Sequence, residues 1–537
     1  MLVLAIAVTS LTACQQEKKE PLKDEGTKIE ENAWSYDYYQ ELNVVDDNYR
    51  NYYEIFVYSF CDSNGDGIGD LQGVISKLDY IKYMGFNGIW FMPIMPSTTY
   101  HKYDVTNYTA IDPQYGTMED FDKLVEECHA RGINVVIDFV INHSSSKHPW
   151  FTEACNYLRS LDASQTPSVE ECKYLDYYHF STEKEYDKYY QVPGTKYYYE
   201  GAFWDQMPDL NLESEAVRAE LTDIAKFWID KGVDGFRVDA ALHFAKGNTS
   251  KNNEIMNWLY TTCTKMDPDF YMVSEVWDNL LVITDHYGSK TPSMFNFDAA
   301  QQSGKILRAA RGYDKASAFI DTMMSYDERF SEKNPDYIDA LFLSNHDLPR
   351  LSEMAANNEK YIKVGMGFMM MMNGSTYVYY GDEIGLQGAS DKDENKRLPM
   401  NWSDADATGE TNGPAGCNKT LTSKYEALDE QLKDGNSIAN YIRHAIRLRN
   451  ENPEIARGEM KKIDSLCVDY QAVITKTYED STIAIAYNNS DEPIEINIKD
   501  SEISGMKIRG YLTLDGEVVT LKNGVLTLPA KGFCVLK

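Results

Sequence analysis

Positive charge is in short supply. The 537-residue chain carries 52 Lys and Arg against 84 Asp and Glu, a formal net charge of -32. Such a chain repels nucleic-acid phosphates, which excludes a nucleic-acid partner and favours a neutral ligand. Cysteine spacing is equally uninformative for metals: none of the nine Cys forms a C-x-x-C pair or another ligating pattern. Cys155 and Cys172 are the one local pair that an oxidising compartment could bridge; buried free thiols are the alternative. Beyond the N-terminus no segment is apolar over the length that a bilayer requires. The run from Phe368 to Met372 is cut short by Asn373 and Gly374. No internal repeat or low-complexity block is visible.

Hydrophobic residues make up 43% of the chain, enough to build a sizeable core spread over two or three domains. Residues 1–12 are apolar but too short to span a membrane. Leu11, Thr12, Ala13 and Cys14 then give way to a polar stretch at 15–21. This N-terminus (1–14) resembles a bacterial lipoprotein signal, which implies a lipidated Cys14 and a polar tether over 15–43. The expected location is extracytoplasmic, anchored through lipid at a bacterial cell surface or the outer face of a membrane. The 39 Tyr and 8 Trp include flat faces suited to sugar rings.

The body of the chain alternates strand and helix signals. A first strand is expected over 53–60 and is followed by a loop in which Asp62, Asn64, Asp66 and Asp70 offer side-chain oxygens around Gly65 and Gly67. Oxygen donors at every second position, with glycines for the sharp turn, make a cage for a hard cation. The assignment is Ca²⁺, with the Ile68 carbonyl as a fifth ligand. The loop resembles the first half of an EF-hand, but Gly73 stands where the closing Glu would be. Helical spacing over 71–83, a strand at 88–92, a helix at 118–131 and a strand at 133–138 imply a parallel sheet. The rhythm breaks over 143–208 and resumes with helix 213–231, strand 234–238, helix 251–266 and strand 270–275. A strand near 294–297, helix 303–325, strand 340–343, helix 350–372, strand 376–380 and, after a polar excursion at 388–436, helix 438–450 complete eight βα units. The fold class is an α/β (β/α)8 TIM barrel (44–142 and 209–455) with an inserted subdomain after strand 3 (143–208). From 456 to 537 short alternating strands with Gly and Asn turns form a C-terminal all-β sandwich domain.

Arg237 and Asp239, two apart in a strand, share a face, and an Arg beside a carboxylate favours its ionised form. Asp138, Asp239, Glu275 and Asp347 end the third, fourth, fifth and seventh strands. In a barrel all of these ends face one mouth, so four acids, Arg237, His143 and His346 converge there.

Four segments, 138–143, 235–239, 274–277 and 342–347, together resemble the signature regions of the α-amylase superfamily of glycoside hydrolases, specifically the intermediate oligo-1,6-glucosidase/neopullulanase group that contains bacterial α-amylases. The resemblance implies a retaining mechanism, with Asp239 as nucleophile, Glu275 as general acid/base and Asp347 gripping the sugar at the cleavage subsite. It implies sugar contacts from Tyr103, His143, Arg237, His346 and Trp277. It also implies a second calcium site built from Asn142, Asp209 and the carbonyl of His243. Ala240 stands where α-1,6-specific members usually carry Val, which favours α-1,4 bonds. Leu242 replaces the family's usual Lys on the acceptor side. The expected substrate is starch or malto-oligosaccharide, cut internally by a monomer that meets a membrane only through its N-terminal lipid. Rival readings are an exo-acting α-glucosidase, an oligo-1,6-glucosidase or neopullulanase, and a non-catalytic starch-binding lipoprotein.

Overall fold

The structure, a computed structural model, describes residues 42–537 apart from 163, 422 and 423. The signal segment, Cys14 and all but the end of the expected tether lie outside the described residues. Eight parallel strands form the central sheet: β1 (Asn51–Ile55), β2 (Gly88–Phe91), β3 (Asn134–Phe139), β4 (Gly235–Val238), β5 (Tyr271–Ser274), β6 (Ser293–Met294), β7 (Ala340–Phe342) and β8 (Ser375–Tyr379). They are arranged in the order β7-β8-β1-β2-β3-β4-β5-β6. A parallel bridge between Phe295 and Ala340 joins the two ends, so the sheet curls into a TIM barrel.

Seven of the eight strands are buried at every residue, which is why strict alternation is a poor guide to them. The barrel interior is aromatic. Tyr52 stacks on Tyr377 with ring centroids 4.8 Å apart and on Tyr271 at 5.5 Å. Trp90 lies against the Arg237 guanidinium at 5.2 Å, so this packed core forms the floor beneath the mouth. The outer helices are amphipathic. Glu215–Asp230 buries Val217, Leu221, Ile224, Ala225 and Trp228 along one stripe and begins at Ser214, whose hydroxyl accepts the Val217 amide.

Several sequence boundaries need correction. The first strand is Asn51–Ile55, and residues 57–60 form a helical turn rather than more strand. Helix 303–325 is two helices, Lys305–Ala310 and Ala316–Lys333, separated at Gly312 with φ 75°. Helix 350–372 is likewise Leu351–Met354 and Glu359–Met371, interrupted by left-handed Ala356 and Asn357. In each case buried apolar residues continue on both sides of the break. Cys155 and Cys172 are free thiols and do not form the bridge allowed for them.

Between β3 and β4 the chain builds a helix, Pro149–Ser160, and a small antiparallel sheet from Phe180–Ser181, Tyr198–Glu200 and Tyr189–Gln191. Its two ends are pinned together: the Ser144 amide donates to the Pro208 carbonyl at 3.1 Å and the Leu210 amide to the Asn142 carbonyl at 2.9 Å. After the barrel, a five-stranded and a three-stranded antiparallel sheet enclose a second core that includes Val473, Ile496, Leu526 and Leu536. This sandwich meets the barrel through Phe368, whose ring lies 4.2 Å from Tyr487 and 5.1 Å from Phe533.

Candidate active site

At the barrel mouth one guanidinium organises three acids. Arg237 Nη1 is 2.9 Å from Asp138 Oδ1 and 2.6 Å from Asp239 Oδ1, and its Nη2 is 3.1 Å from Glu275 Oε2. Asp138 is within β3, Arg237 within β4, and Asp239 and Glu275 directly follow β4 and β5, so neighbouring strand ends supply the whole cluster. The chain turns sharply after Asp239: Ala240 is left-handed at φ 51°, a conformation that costs a non-glycine residue about 1 kcal/mol. The turn aims the Ala240 amide at Glu275 Oε2, 2.9 Å away.

Across the mouth, Asp347 lies between two cations. His346 Nε2 is 2.9 Å from its Oδ2 and Arg397 Nη2 is 3.0 Å from its Oδ1. Tyr103 links the two halves, donating to Asp138 Oδ2 at 2.9 Å and meeting His346 Nε2 at 2.7 Å. Asp239, Glu275, Asp347, Arg237, His346 and Tyr103 therefore form one connected network. His143 stands beside it, with Nε2 3.2 Å from the Tyr103 carbonyl. Trp277 is 44% exposed and stacks flat on Phe297 at 5.1 Å and 7°, a platform at the rim.

The electrostatics separate the acids. Burial raises the Asp239 pKa, against the opposing pull of Arg237. The expectation that Arg237 alone would set this carboxyl low thus omits the larger effect, desolvation. Burial also raises Glu275, and Asp239 and Asp347 add to it while Arg237 opposes. Burial pushes Asp138 up to about 7 against Arg237. Asp347 behaves oppositely: although burial disfavours its charge, His346 and Arg397 hold it well below the usual carboxylate range. His346 is pulled down by burial, but Asp347 and Glu54 outweigh this and bring it up to about 9. His143, by contrast, is lowered by burial to about 4 and is neutral at pH 7. A protonatable carboxyl beside a second carboxyl, facing a permanently ionised third, can donate and accept a proton around one bond while another group bonds covalently or stabilises positive charge.

Three members of the network escaped sequence reasoning. Glu54, in β1, accepts from His346 Nδ1 at 2.6 Å; a carboxylate inside an otherwise apolar strand was the available signal. Arg397 and Tyr100, 3.1 Å apart, carry no local signal, since Arg397 sits in a polar excursion far along the chain. Asp138 was placed at the mouth without a role.

The candidate metal residues fall in two places. In the loop 62–70, Asp62 Oδ1 accepts the Asn64 and Gly65 amides and its Oδ2 the Gly67 amide. Asp66 accepts the Ile68 amide, and Asp70 accepts from Ser63 and Gly73. Gly67 is favoured here because its backbone is left-handed at φ 89°, a conformation that strains other residues. The donor set is all oxygen and suits a hard cation. Among the described residues, however, no group of three or more His, Cys, Asp and Glu is gathered as a metal cage. The second set is only partly assembled: Asn142 Nδ2 is 3.4 Å from Asp209 Oδ1, and the Ala202 amide is 2.9 Å from Asp209 Oδ2. His243 packs its ring on Phe203 at 5.0 Å, and Phe203 packs on His143 at 5.4 Å. Burial pushes Asp209 up to about 8, so a cation at this corner would favour its charged form.

Paired carboxyls on one guanidinium at a barrel mouth are an arrangement that suits glycoside hydrolysis. The model of the alpha amylase catalytic domain matches residues 54–458. Alpha-amylase 3 of Dictyoglomus thermophilum is 38% identical over 469 residues, covering 83% of this chain and 84% of that protein. The oligo-1,6-glucosidase of Parageobacillus thermoglucosidasius is 28% identical over 490 residues, covering 76% and 84%. The solved structure of Eubacterium rectale Amy13B is 42% identical and superposes with a TM-score of 0.89, covering 92% of this chain and 96% of that one. The chain belongs to the α-amylase family and is accordingly an enzyme acting on α-glucans.

The His346–Asp347 pair makes stability depend on pH in a definite sense. His346 is raised from 6.5 to about 9 on folding, so its contribution is full below pH 6.5 and is lost as pH rises through 9. Asp347 is depressed, so its contribution is present above its ordinary 3.8 and is lost as pH falls through its folded value. The melting temperature of the wild type should fall between pH 7 and 9.5. His346→Gln, less stable throughout, should show a smaller fall over the same interval, and an equal fall in the variant would contradict the assignment.

Proposed function

We propose that this enzyme is an endo-acting, retaining α-amylase that cleaves internal α-1,4 bonds of starch and malto-oligosaccharides. The observation that carries the reading is the sharing of Arg237 by Asp239 and Glu275 at adjacent strand ends. Adjacent strands lie about 4.8 Å apart, close to the separation of about 5–5.5 Å between carboxyls that a retaining mechanism uses. In this reading the Asp239 carboxylate attacks the anomeric carbon while Glu275 passes its proton to the departing glycosidic oxygen. The C–O bond breaks and a glycosyl ester forms on Asp239. Water then attacks the same carbon, Glu275 takes a proton from it, and Asp239 is released as carboxylate. Asp347, held ionised by His346 and Arg397, grips sugar hydroxyls and favours ring distortion. Tyr103 presents a ring to the sugar, and Trp277 offers an acceptor-side platform.

Ala240 after the nucleophile supports α-1,4 over α-1,6 linkages through the family pattern, as does the identity to an α-amylase. The principal rival is an oligo-1,6-glucosidase, the activity named for another relative. A non-catalytic starch-binding role is disfavoured by the intact Asp239, Glu275 and Asp347. Two further proposals go with the reading. Loop 62–70 takes Ca²⁺ through Asp62, Asn64, Asp66, Asp70 and the Ile68 carbonyl, with Asn142, Asp209 and the His243 carbonyl as a second site. Cys14 carries lipid that tethers the enzyme outside the cytoplasm.

Asp239→Asn should abolish turnover of maltoheptaose while retaining binding to starch; residual turnover near the wild-type rate would exclude Asp239 as nucleophile. The wild type should release reducing ends from the interior of amylose and leave isomaltose intact, whereas glucose as sole product would favour the exo-acting rival. Chelation should lower the melting temperature, and calcium should restore it; an unchanged melt would remove the calcium proposal. Cys14→Ser should move the enzyme from the membrane fraction to the soluble one, and no change in partition would dismiss the tether.

A further inference from the structure

We propose that Glu54 is a positioning residue: although too deeply buried to touch substrate, it sets the direction of the hydrogen-bond chain on which Asp347 and Asp138 both depend. The inference rests on the reading of Asp347 as a sugar-gripping residue. Glu54 is 1% exposed at the end of β1, and His346 is fully buried. The Glu54 Oε1 atom accepts from His346 Nδ1 at 2.6 Å and from the His346 amide at 3.3 Å. The other ring nitrogen faces Asp347 Oδ2 at 2.9 Å and the Tyr103 hydroxyl at 2.7 Å.

An ionised carboxylate can only accept a hydrogen bond. Burial raises the Glu54 pKa, and His346 and Arg237 oppose it; with Glu54 and Asp347 both ionised, His346 has an acceptor at each nitrogen, the ring carries two protons, and the chain has one polarity. Nε2–H donates towards Asp347 and Tyr103, the Tyr103 O–H donates to Asp138 Oδ2 at 2.9 Å, and Asp138 accepts from Arg237 at 2.9 and 3.1 Å. Arg237 in turn meets Asp239 and Glu275. A buried residue of the first strand is thus connected to both reacting carboxyls through four side chains.

Removing the charge at Glu54 while keeping its shape removes one of the two anions that hold the second proton on the ring. A glutamine amide can accept from Nδ1–H or, turned over, donate to a bare Nδ1, so the neutral ring is no longer fixed in one polarity. In the Nδ1–H tautomer Nε2 becomes an acceptor for the Tyr103 hydroxyl, and Asp138 Oδ2 loses that donor. In either tautomer the sugar-gripping carboxylate loses the charge of one of its two cationic partners. The charged and titratable groups facing this pair come from every neighbouring element. Asp138 comes from β3, Arg237 and Asp239 from β4, Asp347 from the loop after β7 and Tyr103 from the loop after β2. Tyr379 of β8 lies in the field of Glu54, and Arg397 donates to the His346 carbonyl at 3.1 Å. Among the described residues, Glu54 and Asp347 are the anions paired with the His346 ring, and the raised pKa of His346 depends on both.

The test compares Glu54→Gln with Glu54→Asp on maltoheptaose across pH. Glu54→Gln should raise KM about tenfold or more, with a smaller change in kcat, since a charge-assisted hydrogen bond to the gripping carboxylate is lost. The His346 imidazolium, followed by proton NMR, should lose its proton at a pH below the wild-type value of about 9, nearer the ordinary His value of about 6.5. Glu54→Asp, which keeps the charge, should recover much of the wild-type KM and titration. A folded Glu54→Gln enzyme with wild-type KM and an unmoved His346 titration would overturn the proposal. If that variant does not fold, the wild type decides: proton NMR at pH 7.5 should show a doubly protonated imidazolium that His346→Gln removes, and a neutral ring would overturn the proposal. An Asp239→Asn enzyme that still turns over would instead defeat the underlying reading of the site, so the two failures are distinguishable.

Discussion

The mouth of this barrel depends on the buried guanidinium of Arg237. Asp138, Asp239 and Glu275 are all almost fully buried, and burial raises the pKa of each. Packing three carboxyls into one apolar pocket without a cation would neutralise them or unfold the site, since isolated buried charges are strongly disfavoured. Arg237 meets all three with two nitrogens, and Trp90 backs it from the barrel core. Its planar fork and permanent charge are what the site requires; a lysine would offer a point charge without the geometry.

The same constraint explains how the acids differ. Those that share Arg237 remain raised, because one cation spread over three carboxyls offsets only part of the desolvation. Asp347, with a side chain 31% exposed and two cations of its own, is depressed. One mouth therefore holds carboxyls whose pKa values burial raises beside one that stays charged, and the contrast arises from the ratio of cations to burial. Tyr103 couples the two halves, so a change in the charge of His346 is felt at Asp138 through two hydrogen bonds.

Local motifs made much of this legible. Asp239 and Arg237 share a strand face, and Glu275 directly follows the next strand, so their convergence needed only the barrel rule that strand ends meet at one mouth. Asp347, His346, His143 and Tyr103 were legible through the pattern they share with the family. The first strand was misplaced because β1 is buried on both faces and shows no alternation, and the helices at 303–325 and 350–372 were run together because apolar spacing continues across their left-handed breaks. The oxygen-rich loop at 62–70 was conspicuous, yet its carboxylates are bonded to the loop's own amides, a detail that residue types do not encode.

Sequence by itself determined the alternating architecture, the family and the gathering of acids at strand ends, because these rest on periodicity and on short segments. Tertiary structure alone decided what surrounds those carboxyls. Glu54 and His346 are separated by 292 positions and touch at 2.6 Å, and Arg397 reaches Asp347 from a loop after the last strand. Barrel closure brings the first and seventh strand ends onto the same rim, so the partners that fix protonation come from distant parts of the chain. Protonation follows from burial and neighbouring charge, and both exist only once the barrel has closed.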